Sequence, residues 1–413
     1  MSSNSESSEG GGSRARAAAR LALGVLLAAH LVACGDDSPA AGAGGAGGAG
    51  GGQGGGGGAP ATGCDGAALL ARPSDTSLPG PWPVGARTVT IAGLTVEVWY
   101  PASPGSEESA AALKYDVRAF LPAAEAPKIP DEKAPVQTCN CFADLPLDEA
   151  HGPYPVVVFV HGTAGFRTQS LEITTHWASR GFVVIAADHP GLYLGDLITS
   201  LPICDGDAPA QDLEADIAAI VAALGETTGD LAFLDGRIDL AHLGMSGHSA
   251  GGGAIEGQSD LAEVSIPMAA GGVAPGSALK SALVLGALED MVVDYGNQVD
   301  GYEGTVSPTK RLVGLSPGGH LTFSSLCAIT NAEGQDIVTI GTEADVCGLA
   351  LAGALFDCDA SYMPAERGWQ IIKDATSAAL EETLQCDPGA SEALATLAAR
   401  YEEVAELREQ LEP

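Results

Sequence analysis

Five consecutive apolar residues, Val156-Val157-Val158-Phe159-Val160, constrain this chain more than any other feature. A strand of a sheet with one wet face alternates apolar and polar side chains, whereas an unbroken run of β-formers needs cover on both faces, as in a parallel sheet. The flanking sequence repeats the pattern. Phe182 to Ala187 is a second such run, reached through a helical stretch from about Gln169 to Arg180 that ends at Gly181, a helix-stop signal. Leu213, Ile217, Ile220, Val221 and Leu224 share one face of another helix, and Ile238 to Met245, Ser281 to Leu285 and Arg311 to Leu315 read as strands. Upstream, Thr88 to Ile91 and Leu94 to Tyr100 flank Ala92-Gly93 as a hairpin, while 103–150 reads as irregular. Strands alternating with helices make βαβ units with right-handed crossovers. The expected fold class is therefore α/β, a mostly parallel central sheet with helices on both faces.

The N-terminus carries a different signal. Arg14, Arg16 and Arg20 precede a mostly apolar stretch, Leu21 to Leu31, and Leu31-Val32-Ala33-Cys34 resembles a bacterial lipobox. In such signals the chain is cut before the cysteine, whose thiol takes a lipid anchor, so Cys34 is the candidate lipidation residue. Gly42 to Gly58 follows, with 13 of 17 residues glycine. Such a tether is a coil spanning roughly 20–25 Å, with no fold of its own. Position 35 is Gly rather than a sorting aspartate, which favours the outer membrane or cell surface over the inner membrane. At the other end, Leu394, Leu397, Tyr401, Val404, Leu407 and Leu411 are spaced as an amphipathic helix. The expected organisation is a signal peptide (1–33), a lipidated tether (34–63), an α/β domain (64–388) and a C-terminal helix (389–413).

Charge and cysteine content narrow the class further. With 53 Asp+Glu against 19 Lys+Arg, a net charge of −34 argues against a nucleic-acid partner, which needs clustered basic residues. Outside the N-terminus no apolar run reaches the roughly 18 residues of a membrane span. Nine cysteines less Cys34 leave eight, an even number that in an exported chain reads as up to four disulfides. A metal site at Cys139-Asn140-Cys141 is the weaker alternative, because no second ligand pair stands at suitable spacing. The acidic loop with Asp205, Asp207 and Asp212 lacks the spaced ligands and glycine of a calcium loop. No metal and no cofactor is implied.

Gly247-His248-Ser249-Ala250-Gly251 matches G-x-S-x-G between a strand end and a small-residue helix start. In that context a serine occupies a sharp strand-to-helix turn, and flanking glycines let neighbouring backbone approach. A serine needs a base, normally a histidine oriented by a carboxylate, and in this arrangement the chain order is serine, acid, histidine. His320, in Pro317-Gly318-Gly319-His320, is the only histidine after Ser249. The acid belongs just past the strand between them, where Glu289 and Asp290 stand. The backbone N–H of Ala250, the residue after the serine, is a candidate donor to a developing oxyanion. His151, His161, His176, His189, His242 and His248 read as structural.

Taken together, these residues resemble the α/β-hydrolases of the dienelactone hydrolase, platelet-activating factor acetylhydrolase and polyester hydrolase group. The resemblance runs from about Gly80 to Ile329, through Gly80 to Gly85, Val96 to Pro101, Tyr154-Pro155 to Gly162, Trp177 to Val184, Asp188-His189-Pro190-Gly191, Gly247 to Gly251 and Gly319 to Phe323. By that likeness Asp290 is the acid, with Glu289 the runner-up, and Thr163 of His161-Gly162-Thr163 supplies the second oxyanion donor. Ala250 departs from the Met that polyester hydrolases usually carry. The resemblance implies a lipid-anchored serine hydrolase acting on small or lipid-like carboxylic esters through an acyl-enzyme. Only 40 residues separate Ser249 from Asp290 and 29 separate Asp290 from His320, too few for a large helical cap. The rival class is a non-catalytic surface lipoprotein that keeps the fold as a binding scaffold. A full set of nucleophile, base, acid and oxyanion loop has no use there. Acyl group, alcohol and oligomeric state stay open.

Overall fold

The computed structural model describes residues 61–204 and 206–411. The signal peptide, Cys34 and the glycine tether lie outside the described residues. Among the described residues eleven strands form one sheet. In chain order they are β1 (Val84–Ile91), β2 (Leu94–Pro101), β3 (Ala112–Asp116), β4 (Val136–Ala143), β5 (Tyr154–Val160), β6 (Val183–Ala187), β7 (Ile238–His248), β8 (Val264–Met268), β9 (Ser281–Ala287), β10 (Thr309–Leu315) and β11 (Val404–Leu411). Across the sheet the order is β11-β10-β9-β8-β7-β5-β6-β2-β1-β4-β3. From β10 to β6 every neighbour pair is parallel. The edges are mixed: β2 lies antiparallel to β6, β1 and β2 form the expected hairpin, and β11 runs antiparallel to β10.

Alternation along each strand sends neighbouring side chains to opposite cores. Val157 and Phe159 pack with Trp177 of α1 (Leu171–Ser179) on one face. On the other, Val156, Val158 and Val160 meet Ile217, Ile220 and Leu224 of α2 (Leu213–Glu226). The helix after β7 is α3 (Ala250–Ala254), and α4 (Tyr295–Gly304) covers Val284 and Leu312. The longest helix, α5 (Ala365–Leu384), joins α1 on its face through Ile372, Ala375 and Ala379. Its Glu381 pairs with the fully buried Arg180, a charge that also reaches the carbonyl of Leu78 at 2.7 Å. This is a mostly parallel sheet covered on both faces, the α/β class expected.

Three sequence expectations are corrected. Segment 103–150 is irregular only in part: β3 and β4 extend the sheet, and β4 turns Gln137, Cys139 and Cys141 inward and Val136, Thr138 and Asn140 outward. The expected helix over 389–413 is helical only to Arg400, after which Tyr401 turns extended and Val404–Leu411 is β11. Leu394 and Leu397 do bury as a helix would require, but the open edge of β10 takes the residues beyond, pairing Thr309 through Leu315 with the strand. Ala61–Thr62, assigned to the tether, form a short strand on Ala68–Leu69.

The eight described cysteines form four pairs: Cys64–Cys386, Cys139–Cys141, Cys204–Cys347 and Cys327–Cys358. The Cys139 and Cys141 thiols thus bond each other. Cys204–Cys347 and Cys327–Cys358 tie together a satellite core of Phe120, Phe166, Ile198, Leu321, Ile337 and Leu349. Phe166 and Leu321 place that core directly beside the loops that follow β5 and β10. Among the described residues no helix is long and apolar enough to cross a membrane.

Candidate active site

The site forms at the C-terminal ends of the parallel strands. β7 ends at His248, α3 begins at Ala250, and Ser249 between them adopts φ 54°, ψ −121°. A positive φ on a residue with a Cβ costs on the order of 1–3 kcal/mol and persists only where the surroundings impose it. Here the Ser249 N–H donates to Met268 O of the adjacent β8 at 2.9 Å, and its carbonyl accepts from Gly253 N–H at 3.0 Å. A side chain at Gly247 would stand 2.3 Å from the Gly251 carbonyl, so the turn closes only with glycine there. The Ser249 side chain sits half-buried at the head of the turn.

Beyond β10, Ser316 to Gly319 carry His320, which is 5% exposed. Its Nδ1 lies 2.8 Å from Asp290 Oδ2, and Asp290 Oδ1 accepts from the N–H groups of Val292 and Val293, both at 2.8 Å. A carboxylate only accepts, so Nδ1 carries the proton and Nε2 keeps its lone pair. The neighbouring carboxylate is used differently. Glu289 Oε1 accepts from Ser316 Oγ at 2.6 Å and Oε2 from Gly318 N–H at 2.8 Å, so it grips the loop that bears His320 and leaves the ring to Asp290.

The loop after β5 packs on the serine turn. A side chain on Gly162 would come within 3.1 Å of Ser249 Cβ. Ala164 N–H donates to Leu192 O at 3.0 Å and Gly165 N–H to Gly162 O at 2.9 Å, which folds the loop around half-buried Thr163. Ala250, also half-buried, opens α3, where N–H groups have no acceptor within the helix. His161, one residue before Gly162, donates from Nδ1 to Gly162 O at 2.8 Å and accepts from His189 N–H at 3.1 Å. Burial, helped by nearby His189, pushes its imidazole down to about 3. A neutral ring is what that accepting bond requires.

The structure therefore brings Ser249, Ala250, Gly162-Thr163, His320 and Asp290 to one end of the sheet. Cys34 lies outside the described residues. Two residues had no sequence signal: Glu289 as a loop clamp, and Gln169, whose amide bridges Gly162 N–H at 3.0 Å and His248 Nδ1 at 3.0 Å. His248 in turn donates from Nε2 to His320 O at 2.9 Å, with the two rings 4.7 Å apart. That contact sets His320 beside the serine turn.

A family model matches residues 133–191: platelet-activating factor acetylhydrolase, isoform II. The matched segment holds β5, the His161-Gly162-Thr163 loop, α1 and β6, and ends before Ser249. With the sheet described above, the match points to a hydrolase of the α/β class with an α/β-hydrolase fold. No curated protein matches the chain.

Proposed function

We propose that the protein is a serine hydrolase that cleaves carboxylic esters through an acyl-enzyme on Ser249. The observation that carries this reading is the buried His320–Asp290 pair, 2.8 Å apart, tied through His248 to the strained strand-to-helix turn that bears Ser249. In the proposed reaction His320 Nε2 takes the Ser249 hydroxyl proton as Oγ attacks the ester carbonyl carbon. The negative charge that develops on the carbonyl oxygen falls to the N–H groups of Thr163 and Ala250. The tetrahedral species collapses, His320 gives its proton to the departing alkoxide, and an alcohol leaves. Water, deprotonated by the same nitrogen, then releases the acid and restores Ser249. Asp290 holds the ring in the tautomer that makes this possible.

We further propose that the protein belongs to the cell envelope, anchored through Cys34 to the outer membrane or at the cell surface rather than to the inner membrane. Four disulfides support an oxidising compartment. Intact mass of membrane-extracted protein should show a chain beginning at Cys34 with a lipid-sized increment; an unmodified soluble chain would refute the anchor. The enzymatic reading is tested with p-nitrophenyl esters of increasing chain length. The wild type should hydrolyse at least the short esters and Ser249→Ala none, whereas equal rates from both proteins would end the proposal.

A further inference from the structure

We propose that Gln169 and His248 are positioning residues, joined in one directed hydrogen-bond chain that fixes the oxyanion loop and the His320 loop in register on the Ser249 turn. The inference rests on the proposed function and adds to it two residues outside the triad. The chain runs from Gly162 N–H to Gln169 Oε1 at 3.0 Å, from Gln169 Nε2 to His248 Nδ1 at 3.0 Å, and from His248 Nε2 to His320 O at 2.9 Å. Both ends are backbone groups of fixed sense. A backbone N–H can only donate, so the Gln169 oxygen faces Gly162 and its NH2 faces His248. His248 Nδ1 is then the acceptor and Nε2–H the donor, meeting a carbonyl that can only accept. No other arrangement satisfies every group.

The setting makes that sense of direction consequential. Gln169 and His248 are each 1% exposed, so a reversed or missing bond would leave a polar group buried without a partner. Burial, with His320 close by, pushes the His248 imidazole down to about 3, so it remains neutral at neutral pH. Gln169 is anchored from behind: its carbonyl accepts from Ser325 N–H at 2.8 Å, and Ser170 Oγ donates to Phe323 O at 3.1 Å. Three segments distant in sequence are thus locked together by one glutamine and one histidine. Misplacing either loop by about 1 Å is enough to cost on the order of 100-fold in rate.

Two shape-preserving variants test the chain. His248→Phe keeps a ring and removes both polar atoms. Gln169→Glu still accepts from Gly162 N–H but offers His248 Nδ1 an acceptor, which draws the imidazole proton to Nδ1 and turns a lone pair toward His320 O. The readout is kcat per active site, with sites counted by fluorophosphonate titration, so that a smaller folded fraction does not register. Each variant should lose on the order of 10- to 100-fold in kcat with KM within about twofold, and the double variant should lose no more than the worse single one. Wild-type kcat per titrated site in both would overturn the inference. Should either variant fold poorly, ¹⁵N NMR of the wild type decides instead: His248 must be the neutral Nε2–H tautomer at pH 7, and an Nδ1–H or doubly protonated ring would overturn it. Ser249→Ala, run alongside, separates the two claims. Probe labelling of that variant would remove the underlying serine-hydrolase reading, whereas its absence together with unaffected His248 and Gln169 variants would sink the positioning chain alone.

Discussion

Asp290 and Glu289 show how adjacent carboxylates acquire different duties from the direction of one turn. Asp290 spends one oxygen on His320 and the other on two backbone N–H groups, so replacing it with Asn presents an NH2 where an acceptor is required. Asp290→Asn should lose on the order of 10² or more in kcat, as in the handling of histidine tautomers by serine proteases. Glu289→Gln should lose less than about tenfold, because a Gln oxygen still takes Gly318 N–H while its NH2 donates to the Ser316 hydroxyl, which also accepts. Steady-state kinetics on one p-nitrophenyl ester checks both. A crippled Glu289→Gln beside an active Asp290→Asn would reverse the assignment.

At the scale of elements, the C-terminal strand does more than close an edge. β11 pairs with the whole of β10, its Glu409 reaches the buried Arg311 at 2.8 Å, and the Glu403 carbonyl just before it holds Ser316 N–H at 2.9 Å, at the root of the His320 loop. Deleting 404–413 should lower stability by on the order of 2–4 kcal/mol in urea unfolding and bring concentration-dependent light scattering from the bared edge. An unchanged midpoint would contradict this role. The strand escaped the sequence reading because its apolar spacing of three and four continues a true helical face through Leu397, and only the tertiary edge decides where the helix stops. β8 escaped for another reason: Pro267 and Ser265 break the apolar run, yet Pro267 sits in register with Gly247 at the strand end. α5 was hidden by its own buried polar residues, Asp374 and Glu381, which bind Tyr401 and Arg180. What was legible was what carries its signal locally: apolar runs for β5, β6 and β9, the short Leu312-Val313-Gly314-Leu315 stretch of β10, and the serine turn. His320 followed from order alone. Gln169 and Glu289 act through distant partners, and no local pattern announces that.

Across the whole molecule, acid should act through buried histidines. His176 is 5% exposed and donates from Nε2 to Thr76 O at 2.9 Å, and burial pushes it down to about 3. Unfolded, it binds a proton near pH 6.5; folded, it does not until about 3, so the unfolded state holds more protons in between and stability falls as pH falls. His176→Gln keeps a donor for Thr76 and removes the titration. Urea midpoints between pH 6 and 4 should show the wild type losing up to about 1.4 kcal/mol per pH unit more than this variant, and parallel curves would refute the linkage. The claim that organises all of these scales is that the sheet, its loops and its disulfides hold one serine ready for covalent chemistry. Peptide mass mapping after fluorophosphonate treatment tests it most directly. The account predicts a phosphonyl group on the Ser249 peptide, loss of ester hydrolysis in proportion to labelling, and neither label nor activity in Ser249→Ala. An adduct confined to another residue, or a Ser249→Ala protein that still hydrolyses esters, would contradict it.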